Sequence, residues 1–261
     1  MGLSLPAQTL RSVAASLRQL SYVPTSWQGV LAGISPDGRG QLEPFLVQMV
    51  REGGQPRLMA LVLEQLADQQ EALQRERDGW SFVWSGPEPA HSMTADTFAT
   101  VDQLIQQARS SLIIATYNIG LSAAFRELLE SIAERLGDGR LKRVELFFHP
   151  VQIEGKLGAD PLKAIRQWFH ADVWPWPAKP LAYIDHRLLS QTAERCHQHA
   201  KVVVTDVGTD RARALVTSAN FSETAQRHNF EAGWLTREPW RANQVGDHLQ
   251  HLVTGGFFVK L

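Results

Sequence analysis

Cysteine is nearly absent from this chain, and the one present, Cys196, has no intrachain partner for a disulfide. It also lacks the paired neighbours of a cysteine zinc site and reads as an inert thiol. Neither sign of charge is in excess: 26 Lys and Arg stand against 27 Asp and Glu, so composition gives no argument for a nucleic-acid or anionic-membrane partner. Any such partner must be argued from local groups. Long apolar runs are missing too. Leu112 to Ala115 and Val202 to Val204 fall far short of the roughly 20 residues a membrane-spanning helix needs. The opening MGLSLPAQTLRSVAAS lacks the basic start and apolar core of a signal peptide. A cytoplasmic, reducing setting without stable membrane insertion is the expectation. With 44% apolar and 20% charged residues, and no weakly hydrophobic, highly charged stretch, the chain reads as globular, with disorder confined to its ends. No repeat at periods of about 20 to 50 residues points to a solenoid.

What is present divides near the first third. Leu10, Val13, Leu17 and Leu20 recur at helical spacing, as do Leu58, Leu61, Leu63, Leu66 and Leu73, with breakers at Pro36 to Gly40 and Gly53 to Pro56. The polar stretch Gln69 to Asp78 predicts a solvated helix face. Gly79 to Trp84 predicts a short strand, and Gly86-Pro87-Glu88-Pro89 combines turn formers with residues that resist helix. These features predict a mainly helical region over 1–88 and a second domain over 89–261.

From Thr94 onward the signals alternate. Phe98, Val101, Leu104, Ile105 and Ala108 form a helical stripe behind Thr94 or Asp96 as N-cap, and Ser111 to Tyr117 follows as a buried strand. A second stripe, Phe125 to Leu136, closes at Gly137-Asp138-Gly139 and leads to a strand at Val144 to Phe148. A helix near Leu162 to Phe169 precedes a segment rich in Pro and Trp. Strands are then expected around Lys201 to Thr205, Ala214 to Thr217 and Phe230 to Leu235, with a last helix from Trp240 to Val253. Helices alternating with short apolar strands predict an α/β fold whose central sheet is covered on both faces.

The informative block is HQHAKVVVTDVGTDRARALVTSANFSETAQRHNFEAG, from His197 to Gly233. Within it His199, Lys201 and Asp206 are spaced His-x-Lys-x4-Asp, Thr217-Ser218-Ala219-Asn220 follows, and Glu231 comes eleven residues after Asn220. On a strand, residues two apart share a face, so His199 and Lys201 project together, and Ser218 and Asn220 add a hydroxyl and an amide. Such a cluster suits an anion with several oxygens. Phosphoryl transfer without a metal needs an imidazole to attack, an ammonium and an amide to hold non-bridging oxygens, and a carboxylate to orient the imidazole.

This block resembles the HKD motif of the phospholipase D superfamily, which holds nucleases, phospholipases and phosphatidyltransferases. The resemblance runs from about Ala95 to the C-terminus and includes the helix-strand unit Val101 to Tyr117. Thr217, where the family usually has glycine, and the charged connection Gly208 to Arg213 depart from the pattern. More narrowly, the whole chain resembles the phospholipase-D-like component of bacterial DISARM anti-phage systems. The helical N-terminal region, the junction Val83-Trp84-Ser85-Gly86-Pro87 and the single HKD block carry that likeness. The implied fold is a phospholipase D/nuclease-like mixed sheet sandwiched by helices, preceded by a mainly helical N-terminal region.

The resemblance implies that His199 is the nucleophile and passes through a phosphohistidine. Lys201 and Asn220 would hold phosphate oxygens with support from Ser218, and Glu231 would fix the His199 tautomer. A carboxylate on one ring nitrogen indeed leaves the other unprotonated and more nucleophilic. Asp206, beyond the apolar run, completes the motif, with a structural role favoured over a catalytic one. His149 in Phe-Phe-His-Pro has no lysine two residues on and reads as structural, while His197 reads as surface or pocket lining. Trp174-Pro175-Trp176-Pro177 reads as a rigid packed loop rather than a base-stacking platform. Arg187, Arg195, Lys201, Arg211, Arg213 and Arg227 nearly balance Asp185, Glu194, Asp206, Asp210 and Glu223, which is weak support for a phosphate-backbone groove.

The family's chemistry uses two HKD blocks and this chain supplies one, so a homodimer with a shared site is expected. The expected activity is that of a phosphodiesterase needing neither metal nor cofactor, acting on nucleic acid in anti-phage defence, with other DISARM components as further partners. The alternatives are a phospholipase D or phosphatidyltransferase, and a non-catalytic nucleic-acid-binding defence subunit.

Overall fold

The computed structural model describes residues 5–87, 94–189 and 197–261. Glu88 and Pro89 of the expected linker, and Glu194, Arg195 and Cys196, lie outside the described residues. The chain forms two compact units, Met1–Asp78 and Gly79–Leu261.

The first unit holds three helices among its described residues: α1 (Ala7–Arg18), α2 (Pro36–Arg51) and α3 (Pro56–Asp78). Leu10, Val13 and Leu17 of α1 meet Leu42 and Leu46 of α2 and Met59, Leu63 and Ala67 of α3 in one buried cluster. The α3 stripe is thus offset from the leucine spacing: Leu58, Leu61 and Leu73 are exposed, because Met59, Leu63 and Ala67 already fill the inward face at i, i+4 and i+8. Pro36 to Gly40 opens α2 instead of interrupting the chain. The Ser35 hydroxyl accepts from Gly38 N at 3.2 Å, and Pro36 stands where a helix has no use for its missing N–H. On α3's polar half Arg11 bridges Asp68 at 2.6 Å and Glu71 at 3.0 Å, all on the surface.

The second unit is α/β, built on one sheet. Its strands are β1 (Trp80–Ser85), β2 (Ala95–Asp96), β3 (Ser111–Thr116), β4 (Arg143–Phe148), β5 (Leu181–Asp185), β6 (Val202–Thr205), β7 (Arg213–Thr217), β8 (Glu231–Thr236) and β9 (Phe258–Lys260). Among the described residues they lie in the order β2-β1-β8-β7-β6-β3-β4-β5-β9. The sheet is mixed: β3, β4 and β5 are parallel, while β6, β7 and β8 run antiparallel to their neighbours. β1 pairs with β8 along its whole length, from Trp80 opposite Thr236 to Ser85 opposite Glu231. That pairing draws the strand into the sheet, so the units divide at Asp78 and Gly79, upstream of the turn formers at Gly86 and Pro87.

Both sheet faces are covered, unequally. Helices α4 (Thr97–Gln107), α5 (Ala123–Gly137) and α6 (Pro161–Trp168) bury Val101, Phe125, Leu129 and Ile165 against Leu112, Ile114, Leu146 and Val203. The Asp96 carboxylate caps α4 by accepting from Ala99 N at 2.7 Å. Buried Arg135 of α5 donates to the carbonyls of Ile105 and Ala108, which the end of α4 leaves without helical partners. On the other face α7 (Pro239–Thr254) packs Ala242 and Leu249 over Ile113, Phe147, Val204 and Ala214. The β7–β8 end of that face is open, leaving Val216 and Trp234 about half exposed at 48% and 51%. Trp174 is fully buried among the core residues, with its indole N–H donating to Ala178 O at 2.6 Å, so the Trp-Pro segment is a packed loop there.

Candidate active site

Strand direction assembles the site. β6 runs antiparallel to β3, with Ala115 opposite Val202, so the start of β6 meets the end of β3. β7 reverses again and ends beside the start of β6, where Thr217 N donates to Lys201 O at 3.1 Å. β8 reverses once more and begins beside the end of β7, where Ser218 N donates to Ala232 O at 2.9 Å. His199, Lys201, Ser218, Asn220 and Glu231 are therefore all delivered to one edge. It is the edge at the carboxyl ends of β3, β4 and β5, where open α/β sheets hold their ligands.

His199 is exposed and Lys201 is buried, at 7%. Lys201 Nζ lies 2.7 Å from His199 Nδ1 and donates to His199 O at 2.8 Å. An ammonium only donates, so Nδ1 accepts and the neutral ring carries its proton on Nε2. Burial holds the Lys201 ammonium below its ordinary value, while the Glu231 charge works in the opposite sense. The Glu231 carboxylate accepts from the Ser218 hydroxyl and, at 3.4 Å, from Asn229 Nδ2. The resemblance expects Glu231 on the imidazole, yet the group that the structure records on Nδ1 is Lys201. Among the described residues the Glu231 carboxylate is bonded to Ser218, and its charge acts on Lys201. Asn220 Oδ1 accepts from Asn118 N at 3.3 Å, which leaves the amide nitrogen as its donor for a ligand.

Asp206 does not join this group. It ends the opposite side of β6, where its Oδ1 accepts from Arg109 N at 2.8 Å, Ser110 N at 2.6 Å, Ser110 Oγ at 2.9 Å and Ser111 N at 3.3 Å. Burial opposes its ionisation, but the donors of Ser110 and Arg109 outweigh burial and hold the carboxyl below its ordinary value. With φ at 53°, Asp206 is the non-glycine residue in the left-handed region among the described residues. It joins the loop before β3 to the end of β6, at the opposite end of that strand from His199 and Lys201.

Spacing alone misses Tyr117, the residue after β3. Its ring stacks on His149 at 5.1 Å and 15°, meets His197 edge-on at 5.8 Å and lies 5.2 Å from the His199 ring. Its position at the carboxyl end of a buried strand was the signal available. His149, fully buried at the end of β4, and exposed His197 also come together, 3.3 Å apart between Nε2 and Nδ1. Burial lowers the affinity of His149 for a proton, and Glu154 opposes that shift.

Two clefts flank the edge. One of about 360 Å³ is lined by His199, Gln198, His186, Arg187 and His248, and one of about 460 Å³ by Asn118, Asn220, Ser222 and Asn229. Among the described residues no helix is long and apolar enough to cross a membrane.

No protein-family model matches the chain, and no curated protein sequence matches it. Solved structures similar to it include NucT from Helicobacter pylori, at 17% identity and a TM-score of 0.45, covering 64% of this chain and 91% of that one. Nuc from Salmonella typhimurium, a phospholipase D family member, is 16% identical with a TM-score of 0.43, over 70% of this chain and 97% of its own. Phosphatidylserine synthase from Haemophilus influenzae Rd KW20 is 18% identical with a TM-score of 0.45, over 70% of this chain and 39% of its own.

Proposed function

We propose that this chain is a phosphodiesterase of the HKD type, a member of the phospholipase D superfamily that cleaves nucleic acid in anti-phage defence. The observation that carries the reading is the delivery of His199, Lys201, Ser218, Asn220 and Glu231 to one sheet edge, with Lys201 Nζ 2.7 Å from the His199 ring. The sequence likeness to the DISARM component supports the defence role and other DISARM proteins as partners.

A phosphodiester entering this edge offers non-bridging oxygens to the Lys201 ammonium and the Asn220 amide. When Lys201 turns from Nδ1 to a phosphate oxygen, the ring proton can move to Nδ1 and leave Nε2 as the nucleophile. A phosphorus–nitrogen bond then forms as the bond to the leaving oxygen breaks, and that oxygen takes a proton. Water cleaves the phosphohistidine, a proton leaves that water, and His199 is restored. One His199 cannot attack phosphorus and protonate the leaving oxygen in the same step. A second copy of the chain supplies the acid, its His199 facing the first across a two-fold axis. The exposed Val216 and Trp234, on the strand that ends just before Ser218 and the strand that begins at Glu231, give that interface apolar surface next to the site.

The test uses the purified chain and its His199→Ala variant with labelled DNA, labelled RNA and phosphatidylcholine vesicles. Cleavage of a nucleic acid by wild type alone, with phosphate label trapped on protein by acid-free quenching, is the expected result. Hydrolysis of vesicles with nucleic acid untouched moves the reading to lipid chemistry, and nucleic-acid binding without any hydrolysis makes the chain a binding subunit.

A further inference from the structure

Next to the phosphate-binding set lies a second constellation that the proposed hydrolysis does not use. His149 Nε2 is 3.3 Å from Glu154 Oε2 and 3.3 Å from His197 Nδ1, and one donor atom from each residue lies within 4.8 Å of the other two. We propose that His149, His197 and Glu154 bind one divalent transition cation of the zinc class.

The distances favour a shared ion over a chain of hydrogen bonds. Zinc bonds to imidazole nitrogen and carboxylate oxygen are about 2.0–2.2 Å, so two ligand atoms on a tetrahedral ion stand about 3.3–3.5 Å apart. Both separations from His149 Nε2 have that length. A good N–H donor approaches its acceptor at about 2.9–3.0 Å, and a single N–H cannot point well at two acceptors at once. The burial of His149 adds an independent reason. Its ring is fully buried, and its Nδ1 has no hydrogen-bond partner among the described residues, so Nε2 carries all the recorded polar company of that ring. A cation on Nε2 compensates for taking the imidazole out of water. Two neutral imidazoles and one carboxylate also match the donor set of a zinc site that keeps a fourth position for water.

Spacing along the chain hides the set. Glu154 is in the turn just after β4, but His197 comes from the approach to β6, 48 residues beyond His149. The ion would fasten that approach to the end of β4 and so fix the stretch leading to His199. Tyr117 is the wall between the two groups, in ring contact with His149, His197 and His199. The cation is thus a positioning element for His199 and not a substitute for it.

The experiment reads metal, not turnover, so its outcome is independent of the phosphodiesterase reading. The full chain is stripped with chelator, titrated with zinc against a chromophoric competitor, and its absorption is measured after loading with cobalt(II). One zinc per chain and a tetrahedral cobalt spectrum are expected. His197→Ala and Glu154→Gln each weaken zinc by at least about tenfold, since each removes a direct ligand. His199→Ala keeps the wild-type affinity. His197 and Glu154 are exposed, so their variants fold, as circular dichroism would check, and the test needs no variant at buried His149. Zinc bound no tighter by wild type than by His197→Ala and Glu154→Gln, or a cobalt spectrum without tetrahedral bands, overturns the site.

Discussion

Lys201 folds back over the start of its own strand, so that its ammonium touches both the ring nitrogen and the backbone oxygen of His199, at 2.7 and 2.8 Å. Two of its three N–H bonds are thereby committed, and no hydrogen bond of the third is recorded among the described residues. The lysine holds the imidazole in the free protein, and under the proposed function it would also hold a phosphate oxygen once substrate arrives.

Lys201→Met tests both roles. Losing a charged donor at the developing phosphorane should lower kcat/KM by roughly 10² to 10³. Because the ammonium also meets the ground-state phosphate, KM should rise as kcat falls. A variant with only a raised KM would confine Lys201 to substrate binding. Lys201→Arg should not restore the rate, because a planar guanidinium cannot follow the compact turn back to the His199 oxygen.

Glu231 should reveal itself in the pH profile. Its charge supports the Lys201 ammonium against burial, so Glu231→Gln lets the lysine lose its proton at lower pH. The alkaline limb of the rate profile should then move toward neutrality, and kcat should fall by about 10² as Ser218 loses its ionic partner. Substrate binding measured at low pH should stay near wild type. An unmoved alkaline limb would detach Glu231 from Lys201.

Much of this architecture is legible in the sequence, for a physical reason. Buried strands such as Leu112 to Ala115 and Val202 to Val204 are apolar on both faces, and His-x-Lys places two groups on one face whatever the register. What stays hidden depends on pairings between distant segments. β5 and β9 are short, and nothing local shows that Tyr183 pairs with Lys260. Tyr117, His149 and His197 meet only because β3 and β4 end, and β6 begins, at one edge. Asp206 is the reverse case, close to Lys201 in sequence and at the other end of the strand in space.

Asp206→Asn should separate stability from chemistry. The ionised carboxylate accepts three backbone amides and one hydroxyl, and a neutral amide in its place would weaken the set by about 1.5–3 kcal/mol. The folded carboxyl titrates below the ordinary value of 3.8. Its contribution is thus fully present above that value and is lost as pH falls through the folded pKa. Urea midpoints measured against pH should show wild type losing stability on the acid side of that value and Asp206→Asn losing less. The turnover of the folded variant at neutral pH should remain near wild type. A rate loss comparable to that of Lys201→Met would return Asp206 to the catalytic group.

The proposed sharing of the site between two copies has a stoichiometric consequence. If one imidazole attacks and the other protonates the leaving oxygen, a dimer with one His199 replaced lacks either nucleophile or acid for its single functional site. Mixed with an excess of His199→Ala chains under subunit exchange, wild type should lose activity roughly as the square of its fraction, because only dimers with two intact chains turn over. A linear decline means that each chain works alone. Exposed His197, in ring contact with Tyr117 beside His199, would then be the candidate acid through the ring nitrogen it does not turn to His149. Charge changes on the open β7–β8 face decide between the two. Trp234→Glu, on a residue already half exposed, should leave the monomer folded but split the dimer, and activity should fall with the dimer fraction measured by light scattering. Full activity from a Trp234→Glu monomer would move the missing acid into the chain itself.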